Sequence, residues 1–113
     1  IKTTMNLKKK SIEYFECFSK KDIYNLRNFF SDEIYLRDWQ SEIQGIDKVI
    51  ELNQKTFQLF NSIEVKPLNI YEDNNHVIAE LEILFNKKEK IFFLNILKFN
   101  SQNKIISIKA FKG

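Results

Sequence analysis

Phe30-Ser31-Asp32-Glu33-Ile34-Tyr35-Leu36-Arg37-Asp38-Trp39 is the stretch on which the reading of this chain turns. Alternation predicts a strand from Ile34 to Trp39, because successive side chains of a strand point to opposite faces. Ile34, Leu36 and Asp38 then share one face, while Tyr35, Arg37 and Trp39 take the other. A carboxylate thus ends an apolar row. An ion there is costly unless it is paired or hydrogen-bonded, so Asp38 is anchored by donors, protonated, or set to handle a proton.

Upstream, Ile12, Tyr14, Phe15, Cys17 and Phe18 cover one side of a helix predicted over Lys9 to Ser19. Asp22 is a suitable N-cap for a second, Asp22 to Phe30, with Ile23, Leu26, Phe29 and Phe30 as its apolar side. Downstream, the polar run Gln40 to Gln44 with Gly45 reads as a loop. Ile46, Val49, Ile50, Asn53, Phe57 and Phe60 then recur at offsets of three and four, a third helix over Ile46 to Asn61. Asn53 is the one polar member of that stripe.

Beyond Asn61 the period becomes two. Strands are predicted at Glu64 to Tyr71, His76 to Phe85, Lys90 to Phe99 and Lys104 to Lys112. Pro67 cannot donate to a ladder, so its strand is an edge or carries a bulge. Asp73-Asn74-Asn75 is a turn, with His76 expected to be exposed beside it. Lys90 to Phe99 is apolar on both faces: Phe92, Leu94 and Ile96 on one, Ile91, Phe93, Leu97 and Phe99 on the other, where Asn95 interrupts. In the last strand, alternation groups Ile106, Ile108 and Ala110 against Ile105, Ser107, Lys109 and Phe111.

Early helices followed by a late antiparallel meander define an α+β domain, one domain over residues 1–113, in which three N-terminal helices cover one side of a curved, cone-shaped sheet. Such a cone is packed at one end and open at the other, and the opening is the expected pocket. With 43% hydrophobic and 29% charged residues the composition is that of a globular protein, and no apolar run approaches the ~18 residues of a membrane span. Lys8, Lys9 and Lys10 precede no signal-like apolar segment, so a cytoplasmic location and no membrane partner are expected. The net charge of +3 rests on scattered lysines rather than a basic stripe, which argues against nucleic acid. One cysteine, Cys17, reads as a buried structural thiol, and one histidine with one cysteine gives little support for a metal; no cofactor is expected.

Over nearly its whole length the chain resembles the nuclear transport factor 2-like (NTF2-like) superfamily, which has a cystatin-like fold, and within it the SnoaL-like and ketosteroid isomerase group. The resemblance lies in Tyr14-Phe15, in Lys21-Asp22-Ile23 through Phe29 to Glu33, in Asp38 followed by Gly45-Ile46 and Ile50, and in Lys104 to Ala110. It implies a general-base aspartate at the end of the first strand, matched by Asp38, and a tyrosine oxyanion donor on the first helix, matched by Tyr14. The family's second donor, a protonated aspartic acid, is matched in position by Asn95, whose amide can also donate. The family's proline after the base is Trp39 here.

Three polar groups on three apolar faces are expected to meet where those faces meet. Tyr14, Asp38 and Asn95 form the expected catalytic set, with Phe18, Trp39, Ile50, Asn53, Phe57 and Phe93 as ligand-binding wall. Two functions fit that constellation: an isomerase, cyclase or dehydratase in which Asp38 takes a carbon-bound proton beside a carbonyl, or a non-catalytic module holding a small apolar molecule or another protein. Bland readings stand beside both, with Asp38 as a turn or ion-pair carboxylate and Tyr14 as a core tyrosine. The apolar row Phe92, Leu94, Ile96 on the sheet's outer side points to a homodimer.

Overall fold

The computed structural model describes residues 6–113; residues 1–5, which open the expected domain, lie outside them. The elements are α1 (Leu7–Ser19), α2 (Ile23–Arg27), β1 (Phe30–Arg37), β2 (Glu42–Gln44), α3 (Ile46–Leu59), β3 (Ile63–Asp73), β4 (His76–Phe85), β5 (Glu89–Phe99) and β6 (Ile105–Lys112). The α+β architecture is as the sequence predicts, with three helices on a six-stranded mixed sheet of order β2-β1-β6-β5-β4-β3. All neighbours pair antiparallel except β1 and β6, which run parallel.

Local chemistry explains the boundaries. Asn6 caps α1 by accepting from the Lys9 N–H at 3.0 Å. The helix ends on Lys21, held at φ 56°, where the Lys21 N–H donates to the Phe18 carbonyl and the Asp22 N–H to that of Cys17. That pair of bonds is the Schellman closure, which satisfies carbonyls left over at a helix end. Asp22 then caps α2, accepting from the backbone and side chain of Asn25 at 3.2 and 2.7 Å. These bonds hold its carboxyl pKa below the ordinary value, so the stabilisation is present at neutral pH and is lost as acid titrates the folded-state carboxylate. The Lys21 ammonium crosses to the far end of α3, donating to the carbonyls of Phe57 at 2.8 Å, Asn61 at 3.1 Å, and Phe60.

Four expectations are corrected. The second helix stops at Arg27 instead of Phe30, because Phe30 is claimed by the sheet, opposite Ile105 of β6. Gln40 to Gln44 is no simple loop: its last residues are β2, paired back on β1 with Tyr35 opposite Gln44 and Arg37 opposite Glu42. His76 is the half-buried first residue of β4, opposite Lys98, and not an exposed turn residue. In β6 the alternation breaks at Ile106: Phe99 lies opposite Ile105 but Lys98 opposite Ser107, so Ile105 and Ile108 are both buried. One extra residue there is a bulge, and a second follows Pro67 in β3, the edge strand that proline suggested. Bulges bend their strands and add twist, which curves the sheet.

The core lies between the helices and the concave face, built on Phe99, Leu26, Ile34, Ile63, Leu81 and Leu97. Cys17 is buried, as expected of a structural thiol, and its Sγ contacts the Asp22 carbonyl oxygen at 3.3 Å. Burial first, then the charge of Asp22, pushes the thiol pKa up and keeps it protonated.

Candidate functional site

Asp38 comes directly after β1, on the side of the buried Ile34 and Leu36. Its Oδ1 accepts from the backbone N–H of Gln40 at 2.8 Å and of Ser41 at 2.7 Å, and its own N–H donates to the Ser41 carbonyl. The carboxylate therefore shapes the turn into β2, as Asp does when its side chain bonds the backbone two or three residues on. The side chain is half-buried.

Register relates Asp38 to Asn95. The last β1–β6 pair is Arg37 with Lys109, so the next residue, Asp38, comes level with Ala110. Ala110 pairs with Asn95, and Asn95 with Ala79. One cross-strand row of the concave face thus reads Asp38, Ala110, Asn95, Ala79. Two alanines flank the amide, and two strand spacings of ~4.8 Å separate it from the carboxylate.

Tyr14 is not in that row. Its ring centroid lies 5.9 Å from that of Phe29 and 5.8 Å from that of Phe30, at the start of β1, with Phe15 at 5.3 Å and Phe18 at 6.4 Å. Along β6 this end is marked by Ile105 and the Asp38 end by Ala110, five residues or ~16 Å apart. Burial, with a smaller contribution from Cys17, raises the tyrosine pKa well above its ordinary value, so the hydroxyl stays a donor at any working pH.

The expected wall residues divide into two groups. Phe18 and Phe57 pack edge to face with centroids 4.9 Å apart, between α1 and α3, and Ile50 is buried about two turns earlier on α3. Trp39 and Phe93 stack at 5.3 Å beside the Asp38 row, with the Lys112 ammonium 5.7 Å from the indole centre. Phe93 and Lys112, which are register partners, border with Leu81 and Gly113 a recess of about 240 Å³ whose other lining includes Phe92, Leu94 and Phe111 of the outer face.

Asn53 carries the sharpest signal. It is only 6% exposed on the core side of α3, and its Nδ2 has no hydrogen-bond partner among the described residues. A buried amide donor left unmade costs about 1–3 kcal/mol, so such a group is normally matched by water or a ligand.

The model of the SnoaL-like domain matches residues 12–108. The chain belongs to the SnoaL-like domain family. No curated protein matches its sequence. Among solved structures, this SnoaL-like domain is similar to an NTF2-like protein of unknown function from Cytophaga hutchinsonii, with TM-score 0.82, 12% identity, and coverage of 100% of this chain and 95% of that one. It is also similar to a protein from Kribbella flavida provisionally called a ketosteroid isomerase (TM-score 0.81, 10% identity, 91% of this chain and 74% of the other). A third is a Sinorhizobium meliloti protein provisionally called a polyketide cyclase (TM-score 0.78, 13% identity, 86% and 88%). At such identities the likeness is one of fold, which hosts many chemistries.

Sequence reasoning did not single out Lys112, which comes to Trp39 only through the β5–β6 register. It also missed a second recess, on the outer face, of about 400 Å³. The signal was available: Lys98 and Lys109 occupy outward positions of two strands that the turn at residues 100–104 makes neighbours. Among the described residues of this SnoaL-like domain, no helix is long and apolar enough to cross a membrane and no cluster of His, Cys, Asp and Glu could hold a metal.

Proposed function

We propose that this SnoaL-like domain takes a small apolar molecule bearing a carbonyl against its concave face and moves a proton on it, in the manner of an isomerase, cyclase or dehydratase. The observation that carries the reading is the cross-strand row in which register brings Asp38 level with Ala110 and Ala110 beside Asn95, a carboxylate and an amide on either side of a small side chain. Asp38 uses Oδ1 for the turn, which leaves Oδ2 as the base, and Asn95 donates to the oxygen where negative charge develops. Tyr14, ~16 Å along β6 from this row, is not part of the proposed chemistry. Trp39, Asn53 and Phe93, with Phe18, Ile50 and Phe57 behind them, form the ligand's surroundings. A non-catalytic pocket is the second reading, favoured by the two backbone bonds that already occupy Asp38. Titration with a series of cyclic enones, followed by the shift of the single Trp39 indole N–H resonance, tests the common part; no saturable shift with any of them sinks both readings.

Asn53 gives this proposal a stability signature. Asn53→Leu removes the orphaned donor and is expected to raise stability by about 1 kcal/mol, while weakening enone binding about tenfold. A loss of stability in urea unfolding would instead show that the amide has a structural partner.

The same reading includes a homodimer through the outer face. Phe92 is 50% and Phe111 46% exposed, side by side with Leu94 and Leu68. Apolar groups grouped in this way favour a second copy over water. Light scattering at micromolar concentration is expected to give twice the chain mass, falling to the chain mass in Phe92→Lys; a wild-type monomer contradicts it.

A further inference from the structure

The outer face carries a second feature that begins one row along β5 from the Leu94–Phe111 pair. Tyr35, His76, Ile96, Lys98, Ile106, Ser107 and Lys109 enclose the recess of about 400 Å³. Its members lie in two adjacent rows, His76, Lys98, Ser107 and Tyr35 in one and Ile96 and Lys109 in the next, which Arg37 continues beyond the recess. His76 is directly opposite Lys98, and Arg37 directly opposite Lys109. The like charges of Arg37 and Lys109 in such cross-strand positions destabilise a sheet. Neither lysine is in a salt bridge among the described residues, where the ion pairs are Arg27 with Asp47 and Lys90 with Glu82. The carboxylates closest in register are spent or peripheral: Glu42 accepts the Tyr35 hydroxyl at 2.7 Å, and the exposed Asp73 lies opposite His76 at the hairpin end. Among the described residues, no acidic side chain lines the recess itself.

We propose that this recess is a binding site for the phosphate group of a small phosphomonoester. Lys98 and Lys109 supply the two positive charges, the Ser107 hydroxyl lies between them as a donor, and His76 borders the anion on the β4 side. Lysine serves phosphate as a compact point charge, and convergence of two of them around a hydroxyl suits a dianion. The volume exceeds what a bare phosphate fills and falls within the range of small-molecule pockets. Ile96 and Ile106 are the apolar wall that the ester's organic part would cover. The site is separate from the Asp38 row, because the two occupy opposite faces of the sheet. It borders the proposed dimer contact through Ile96, while the Lys98–Ser107 row lies about 13 Å from the Leu94–Phe111 pair, four residues of strand away.

Phenyl phosphate is the probe, with phenol as its uncharged control, each titrated by NMR against the backbone amides of residues 96–109. Phenyl phosphate is expected to bind at least tenfold tighter than phenol and to lose at least tenfold on raising salt from 50 to 500 mM. Lys98→Met with Lys109→Met is expected to abolish that preference without lowering the melting temperature, since it removes like-charge neighbours; Lys98→Arg with Lys109→Arg retains it. Equal affinities for the two probes, or unchanged phenyl phosphate binding in the methionine variant, overturn the proposal. Binding seen only after dilution to the monomer overturns it as well, because the recess is then covered by a second copy.

Discussion

Asp38→Asn is expected to lower turnover of a carbonyl substrate by about 10²–10⁴-fold, the usual contribution of a general base, with binding of that substrate unchanged within about threefold. The substitution is informative because of how the carboxylate is held. Oδ1 accepts from Gln40 and Ser41, and an asparagine carbonyl can accept the same two bonds, so the turn and the β1–β2 hairpin are preserved. What disappears is the basic oxygen. Asp38→Ala is the complement: it removes the turn's acceptor as well and is expected to cost about 1 kcal/mol of stability. Steady-state kinetics on a β,γ-unsaturated ketone, run with thermal melts of both variants, separate chemistry from architecture. Equal turnover by wild type and Asp38→Asn would leave the domain as a binding module.

Lys21→Met is expected to destabilise by about 2–3 kcal/mol, a fall in melting temperature of about 10 °C for a domain of this size. Three carbonyls at the end of α3 take their donor from this one ammonium. Hydrogen bonds from charged donors are each worth about 1.5–3 kcal/mol when isolated, but these share a group and are partly exposed, which sets the total nearer to one and a half such bonds. Lys21 also holds the left-handed position that closes α1, a conformation costing a non-glycine residue about 1–2 kcal/mol. Lys21→Gly therefore loses the ammonium but relaxes the backbone, and its stability is expected to fall between wild type and Lys21→Met. A Lys21→Met protein as stable as wild type in denaturant titration would mean that water replaces the ammonium at no cost.

The elements that were legible before the structure are those whose period is uninterrupted. Val49, Ile50, Asn53 and Phe57 gave α3, and Val77 to Phe85 gave β4, since burial imposes 3.6 on the one and 2 on the other. Reading failed where geometry is set from a distance. Phe30 looks helical by spacing, yet its backbone belongs to Ile105 across the sheet; Glu42 to Gln44 has no apolar alternation, because its pairing is dictated by the Asp38 turn. In β6 one bulged residue reversed the faces of Ile105 and Ile106, which no local pattern announces. For the site, parity alone put Asp38 and Asn95 on the concave face. The position of Tyr14 along that face depends on how α1 crosses the sheet, and tertiary packing, not residue type, decides that.

The parallel pairing of β1 with β6 has a consequence for how this protein is made. Phe30 to Arg37 leaves the ribosome well before its partner, and one long edge of that strand stays unpaired until Ile105 to Lys112 is synthesised. Closing so large a loop before its contacts can form is slow, and an unpaired strand edge meanwhile invites pairing with other chains. Nascent chains stopped before residue 105 should therefore stay protease-sensitive and chaperone-bound, however complete their helices, and folding should be a single late event triggered by the final strand.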